Sequence, residues 1–191
     1  MLYLLVAGLA LTYAQEPKRC ISPATWEARV LRVDPSKAFD SLGKFSYDAP
    51  NMRTRFIEEV DESQERSFYD ELFLFKEKIG YRFNIREKTC VRFNLTEPFR
   101  AIEVPPEARS FGSLYIGSSA AEGAGVLVDV WGGQTERGRY SGSWTSVGCI
   151  PVNDAYVSTQ TGVAIASFFD VTGGISDPNI FIPPAECQQR A

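Results

Sequence analysis

Hydrophobic and polar residues alternate along much of this chain with a period of two. Tyr81, Phe83 and Ile85 interleave with Arg82, Asn84 and Arg86, and Val91, Phe93 and Leu95 interleave with Arg92 and Asn94. Successive side chains of an extended chain point to opposite faces, so each run predicts a strand with one buried face. The same reasoning predicts strands over 26–33, 43–47, 51–58, 68–75, 113–117, 126–131, 139–147 and 162–171. Turn chemistry separates most of them: Asp34-Pro35-Ser36, Asp48-Ala49-Pro50-Asn51, Gly132-Gly133 and Gly173-Gly174. Segment 58–72 (EEVDESQERSFYDEL) lacks a clean two-residue beat and reads as a long hairpin turn. About ten short strands with turn signals every 8 to 12 residues indicate a mainly β fold, an antiparallel sandwich or open barrel.

Composition narrows the class. Of 191 residues, 44% are hydrophobic and 23% charged, the balance of an ordinary globular chain, and no repeat or linker splits it. Residues 15–191 therefore read as one domain. The formal charge of −4 disfavours nucleic acid, whose binders are usually basic. There is no histidine, which removes His-based triads, HExxH zinc sites and histidine pH switching.

Residues 1–14 (MLYLLVAGLALTYA) combine a short apolar run with a small-x-small ending, the pattern of a secretory signal peptide cut after Ala14. In an exported chain, Cys20, Cys90, Cys149 and Cys187 form two disulfides, and sequence alone leaves all three pairings open. Asn94-Leu95-Thr96 is an N-glycosylation sequon, with Asn94 on the polar face of its strand.

Candidate chemistry is sparse. The glycine-rich run from Gly117 to Gly125 lacks a GK[ST] ending and reads as a loop, and no GxSxG elbow occurs. The acids Glu58, Glu59, Asp61, Glu62 and Glu65 offer hard oxygens to calcium but match no EF-hand loop, and the metal ligands are left unknown. Aromatic residues are more telling. A set including Phe99, Phe111, Tyr140 and Phe169 crowds the predicted strands, filling a bulky core or lining a pocket for an apolar ligand. The pocket candidates are Phe73, Phe75, Tyr81, Phe83, Tyr115, Val128, Trp131, Trp144 and Phe168.

Ordered motifs add a resemblance. Cys20 with Pro23 and Trp26, Arg53 and Arg55 ahead of acids, Leu72-Phe73 and Tyr81 ahead of Cys90, and IEVPPEA from Ile102 to Ala108 stand in sequence. They are followed by Tyr115-Ile116-Gly117-Ser118, Val130-Trp131-Gly132, Gly148-Cys149-Ile150-Pro151-Val152, and an ending of Phe168-Phe169-Asp170, Asp177-Pro178, Phe181-Ile182-Pro183-Pro184 and Cys187. Together these resemble the ependymin and ependymin-related proteins over nearly the whole mature chain. The resemblance implies a secreted or lysosomal glycoprotein with two stacked, curved antiparallel sheets, similar to bacterial lipoprotein-carrier folds, around a hydrophobic pocket. It also implies a homodimer, calcium association, contact with extracellular matrix, and pairing of Cys20 with Cys149 and Cys90 with Cys187. The expected function is non-enzymatic binding of a lipid or other apolar molecule, with no cofactor required and calcium as a candidate. The alternative is a calcium-dependent matrix or adhesion protein, in mucus or shell matrix for example, that makes no use of a pocket.

Overall fold

The computed structural model describes residues 16–62, 65–135, 138–158 and 162–188. The expected leader, 1–14, lies outside them. Eleven strands follow in chain order: β1 (Thr25–Asp34), β2 (Phe39–Asp48), β3 (Arg53–Glu62), β4 (Glu65–Leu74), β5 (Ile79–Asn84), β6 (Thr89–Asn94), β7 (Arg109–Gly117), β8 (Gly125–Thr135), β9 (Gly138–Thr145), β10 (Pro151–Ser158) and β11 (Gly162–Gly173). A 3-10 turn (Pro178–Phe181) and a short helix, α1 (Ala185–Gln188), complete the described chain.

The strands join in one antiparallel ladder, β6-β5-β4-β3-β2-β1-β11-β10-β9-β8-β7. The chain meanders outward from β1 to β6, crosses the sheet, and meanders back from β7 to β11, so its first and last strands pair at the centre. The expected mainly β, antiparallel, open architecture is present, and its hydrogen bonding runs through a single sheet. The crossing, residues 95–108, acts as a strap. Fully extended it reaches about 50 Å, while eleven strands about 4.8 Å apart span about 48 Å when flat. The strap also dips, because Ile102 N donates to the Tyr47 hydroxyl at 3.1 Å and Ala108 N closes a turn onto Pro105 O at 3.0 Å. A flat sheet would be too wide for it, so the sheet curls around the strapped, inner face.

Two predictions need correction. Within segment 58–72, residues 58–62 and 65–72 are paired antiparallel strand, with Glu59 opposite Phe68 and Glu62 opposite Glu65. Its polar composition hid a ladder stabilised by cross-strand ion pairs. Strand β10 was not expected, because Asp154 sits between Val152 and Tyr156 on the face that would otherwise alternate as apolar.

The inner face carries two cores. Trp26, Ala28, Val30, Phe45, Tyr47 and Phe168 pack together, with the Trp26 ring edge-on to Phe45 at 5.1 Å and to Phe168 at 5.3 Å. Val104 and Ala108 of the strap pack against Trp131, Tyr140, Trp144 and Cys149. Trp144 donates its indole N–H to Ser22 Oγ at 3.0 Å, and the Cys20–Cys149 disulfide fixes the same N-terminal segment. On the outer face, the C-terminal segment lies over β3. Arg53 stands 4.2 Å from the Phe181 ring centre, Arg55 donates to the Ile180 and Ile182 carbonyls, and Cys90–Cys187 ties α1 to β6.

Candidate ligand-binding trough

The inner face of β11 carries Ala164 and Ala166 before it reaches the bulky Phe168. Ala166 lies between Arg32 of β1 and Asp154 of β10 in the ladder, and Ala164 lies opposite Tyr156. Two methyl groups between long neighbours leave a pit of about 400 Å³. Arg100 of the strap roofs it, ion-paired to Asp154 Oδ2 and standing 5.3 Å from the Tyr156 ring centre. A second cavity, about 370 Å³, lies between strap residues Phe99, Ile102 and Pro105 and the rings of Tyr140, Trp144 and Tyr156. A third, about 560 Å³, runs between Phe75, Phe99 and Ala164. Arg100 and Tyr156 border all three, so the cavities adjoin along one trough. Each volume falls within the range of about 300–1,000 Å³ typical of small-molecule sites.

The lining is neutral in its rings and charged at one end. Burial pushes the Tyr140 phenol far above its usual range, against a smaller opposing effect of Arg100, and burial likewise raises Tyr47. Neither ionises near neutral pH. From Arg32, which borders the pit, a row of ions runs on across β1 to β5. Arg32 and Ser41 Oγ donate to Glu58 at 3.1 and 2.8 Å, Arg32 also faces Glu71 at 3.5 Å, and Arg82 Nε lies 3.3 Å from Glu71. Glu58 fits because its cross-strand neighbour is Gly43, where a Cβ would lie 2.4 Å from the Glu58 Cβ. Burial raises the Glu71 carboxyl, Arg32 opposes that shift and Glu58 adds to it, leaving it above the usual carboxylate range. Asp154 has one uncommitted atom: Oδ1 is buried and accepts no hydrogen bond.

The sequence-derived candidates distribute unevenly. Trp144 and Phe75 line the trough. Phe168 and Trp131 lie in the adjoining cores, and Phe73 packs among Phe56, Phe75 and Phe93. Tyr81 and Phe83 face outward, because their ladder partners Leu72 and Cys90 belong to the face covered by the C-terminal segment. Val128 is buried on the face opposite Trp131, three residues away along the same strand, and Tyr115 is exposed on the edge strand β7. Phe99 and Tyr140 belonged to the wider aromatic set but not to the pocket candidates, and Tyr156, Ile102, Arg100 and Asp154 were in neither. The acidic cluster does not converge. Glu58 points inward to Arg32, whereas Glu59 and Asp61 pair with Arg66 on the other face. Among the described residues no three of Cys, Asp and Glu are grouped to hold a metal. Asn94 is exposed at the end of β6, and among the described residues no helix is long and apolar enough to cross a membrane.

These features define an open antiparallel sheet curled around a strapped trough. Its fold is similar to that of a conserved protein from Thermus thermophilus, with a TM-score of 0.51 at 10% identity over 86% of this chain and 89% of that one. The Ependymin family model matches residues 63–187. Ependymin-2 of Carassius auratus is 32% identical over 171 residues, 88% of this chain and 79% of that protein. Mammalian ependymin-related protein 1 of Rattus norvegicus is 27% identical over 176 residues, 90% of this chain and 77% of that protein. The chain belongs to the ependymin family.

Proposed function

We propose that the protein is a secreted, glycosylated carrier that holds a lipid or other apolar molecule in the strapped trough. The observation that carries this reading is the cavity between the strap and Tyr140, Trp144 and Tyr156, whose aromatic floor the fold leaves unfilled and whose charged residues, Arg100, Glu103, Glu107 and Asp154, stand beside it. Burying a hydrocarbon chain there is favourable by about 0.8 kcal/mol per methylene. Such contacts are non-directional and perform no chemistry, so binding and transfer follow more directly than catalysis. Native mass spectrometry of the disulfide-intact protein, followed by denaturing extraction, is expected to show excess mass that extracts as lipid. A protein that is empty and takes up no long-chain amphiphile refutes the carrier reading and favours calcium-dependent matrix adhesion, in which case added calcium raises the melting temperature or drives association.

We also propose that β7 pairs with β7 of a second copy. Its outer edge has no strand partner among the described residues, and Leu114, Tyr115 and Ile116 are each about half exposed, with Val126 and Leu127 exposed beside them on β8. From Ser110 to Gly117 the strand has no charge and no proline, the usual guards of an edge. Unpaired backbone groups on this edge argue against insertion into hydrocarbon, where each would be costly.

A further inference from the structure

We propose that a groove on the outer face, bordered by Arg109, Phe111 and Arg139, binds a sugar ring that carries one carboxylate, a hexuronic acid of a glycan chain. The site lies on the face opposite the trough and does not depend on the carrier reading. The groove encloses about 680 Å³. Ladder register explains its shape. Arg109 stands opposite Gly132, Gly132 opposite Ser141, and Ser141 opposite Ala155, so a glycine and two small side chains keep the sheet surface low beside the arginine. Arg139 lies two residues from Ser141 on β9, so its side chain emerges on the same face. Phe111 rises beside this low floor. Gly132 is what admits its ring, since a Cβ there would lie 2.7 Å from Phe111 Cε2. The ring stays 52% exposed, an apolar surface at the groove that nothing in the fold covers.

Charge is the second observation. Arg32 and Arg100, which border the trough, each meet a carboxylate. Arg109 and Arg139 are both exposed, border one groove, and make no ion pair among the described residues; the neighbour of Arg109 is the Phe111 ring, 5.2 Å away. Two strand spacings across and two residues along put their Cα atoms about 12 Å apart, so two long side chains can converge on one small anion. A guanidinium donates two parallel hydrogen bonds to a carboxylate, which favours that group. Ser141 and Gln134 add polar atoms for sugar hydroxyls, and Phe111 and Val157 add apolar surface for the C–H bonds of the ring. Glu107 borders the groove as well, so its charged lining is two cations and one anion. A singly charged sugar matches that balance, whereas a densely sulfated chain would press further charges against Glu107. An anionic membrane presents a plane, which a floor recessed at Ser141 and Ala155 does not meet.

The test compares methyl glucuronide with methyl glucoside, which share a ring and differ only in a carboxylate against a hydroxymethyl group, by ligand-observed NMR titration of the full, disulfide-intact protein at physiological salt. The expected result is that the glucuronide binds about tenfold or more tighter. In Arg109→Gln and in Arg139→Gln that preference falls to about threefold or less, and Phe111→Ala weakens both sugars alike. Equal binding of the two sugars by the wild type overturns the inference, as does binding of neither. Inorganic sulfate that displaces the glucuronide at equal concentration also overturns it, because the groove would then hold a bare anion. Phosphatidylserine vesicles that bind the wild type and are released by both arginine variants, with neither sugar bound, would make the groove a membrane contact and overturn it too. The wild-type comparison requires no variant to fold, and unchanged circular dichroism and melting temperature qualify the variants. Lipid extracted from the trough is expected to be the same in all of them, so this inference and the carrier reading fail separately.

Discussion

The two halves of the sheet are built by different means. From β1 to β6, the inner face mixes aromatic rings with a row of ions, Arg32, Glu58, Glu71 and Arg82, and α1 is tied to the far strand, β6, by the Cys90–Cys187 disulfide. From β8 to β10 the inner face carries the rings of Trp131, Tyr140, Trp144 and Tyr156, with Asp129, Gly133, Gly142 and Asp154 among them, and the far strand, β7, exposes an apolar edge. Glycine serves each half differently. Gly43 makes room for a buried carboxylate, whereas a Cβ at Gly142 would strike the Tyr140 hydroxyl at 2.4 Å and the Trp144 ring at 2.8 Å. One half is specified by charge pairing and the other by ring packing, and the trough lies where they meet.

The contrast can be broken most forcefully in the cores. Trp144→Ala should cost about 4 kcal/mol, from lost ring packing and an unpaired Ser22. Glu58→Ala should cost about 3 kcal/mol, because Arg32 keeps a hydrogen bond to Ser41 Oγ but only the more distant Glu71 as counter-ion. Urea midpoints measure both, and a negligible loss for Glu58→Ala would show that the ion row contributes little.

Acid should separate the halves next. Asp48 is raised by burial but lowered more by hydrogen bonds from Asn51 and Arg53, so its folded carboxyl sits below its usual range. Its contribution is present above the unfolded value of about 3.9 and is lost as pH falls through the folded one. Glu71 has the opposite sign. Its raised folded carboxyl takes up a proton before the unfolded chain does, so this group favours folding as pH falls from the folded value toward about 4.3. Melting curves between pH 3 and 7 should therefore show less acid loss in Asp48→Asn and more in Glu71→Gln. Trp144→Ala should shift the whole profile without changing its shape.

The smallest effect on stability belongs to the bare edge. Ile116→Lys should leave the subunit within about 0.5 kcal/mol of the wild type while converting a dimer to a monomer in sedimentation velocity. A wild-type monomer, or a dimer that survives the lysine, removes β7 as the interface.

Much of the sheet was legible in the sequence, because strands with one buried face alternate visibly. Tyr81, Phe83, Phe93 and Trp26 each fall in a predicted strand, and the cysteines pair as the family resemblance implied. The trough was less legible for a physical reason. It is defined by small side chains: Ala164 and Ala166 form a pit only once ladder register sets Arg32 and Asp154 on either side of Ala166. Strap residues Phe99 and Ile102 lie in a proline-rich segment with no period, and Tyr156 was masked by the charge beside it. Phe83 shows the converse limit, since alternation reveals that one face is buried without saying which of two covers buries it.

The pairing of β1 with β11 has a consequence in time. During synthesis the first six strands leave the ribosome as a ladder whose central edge is open, and that edge stays exposed until nearly the whole chain has emerged. Contacts so distant along the chain slow folding and prolong exposure to association with other chains. The centre of the sheet therefore cannot be completed until its last strand, β11, has been made.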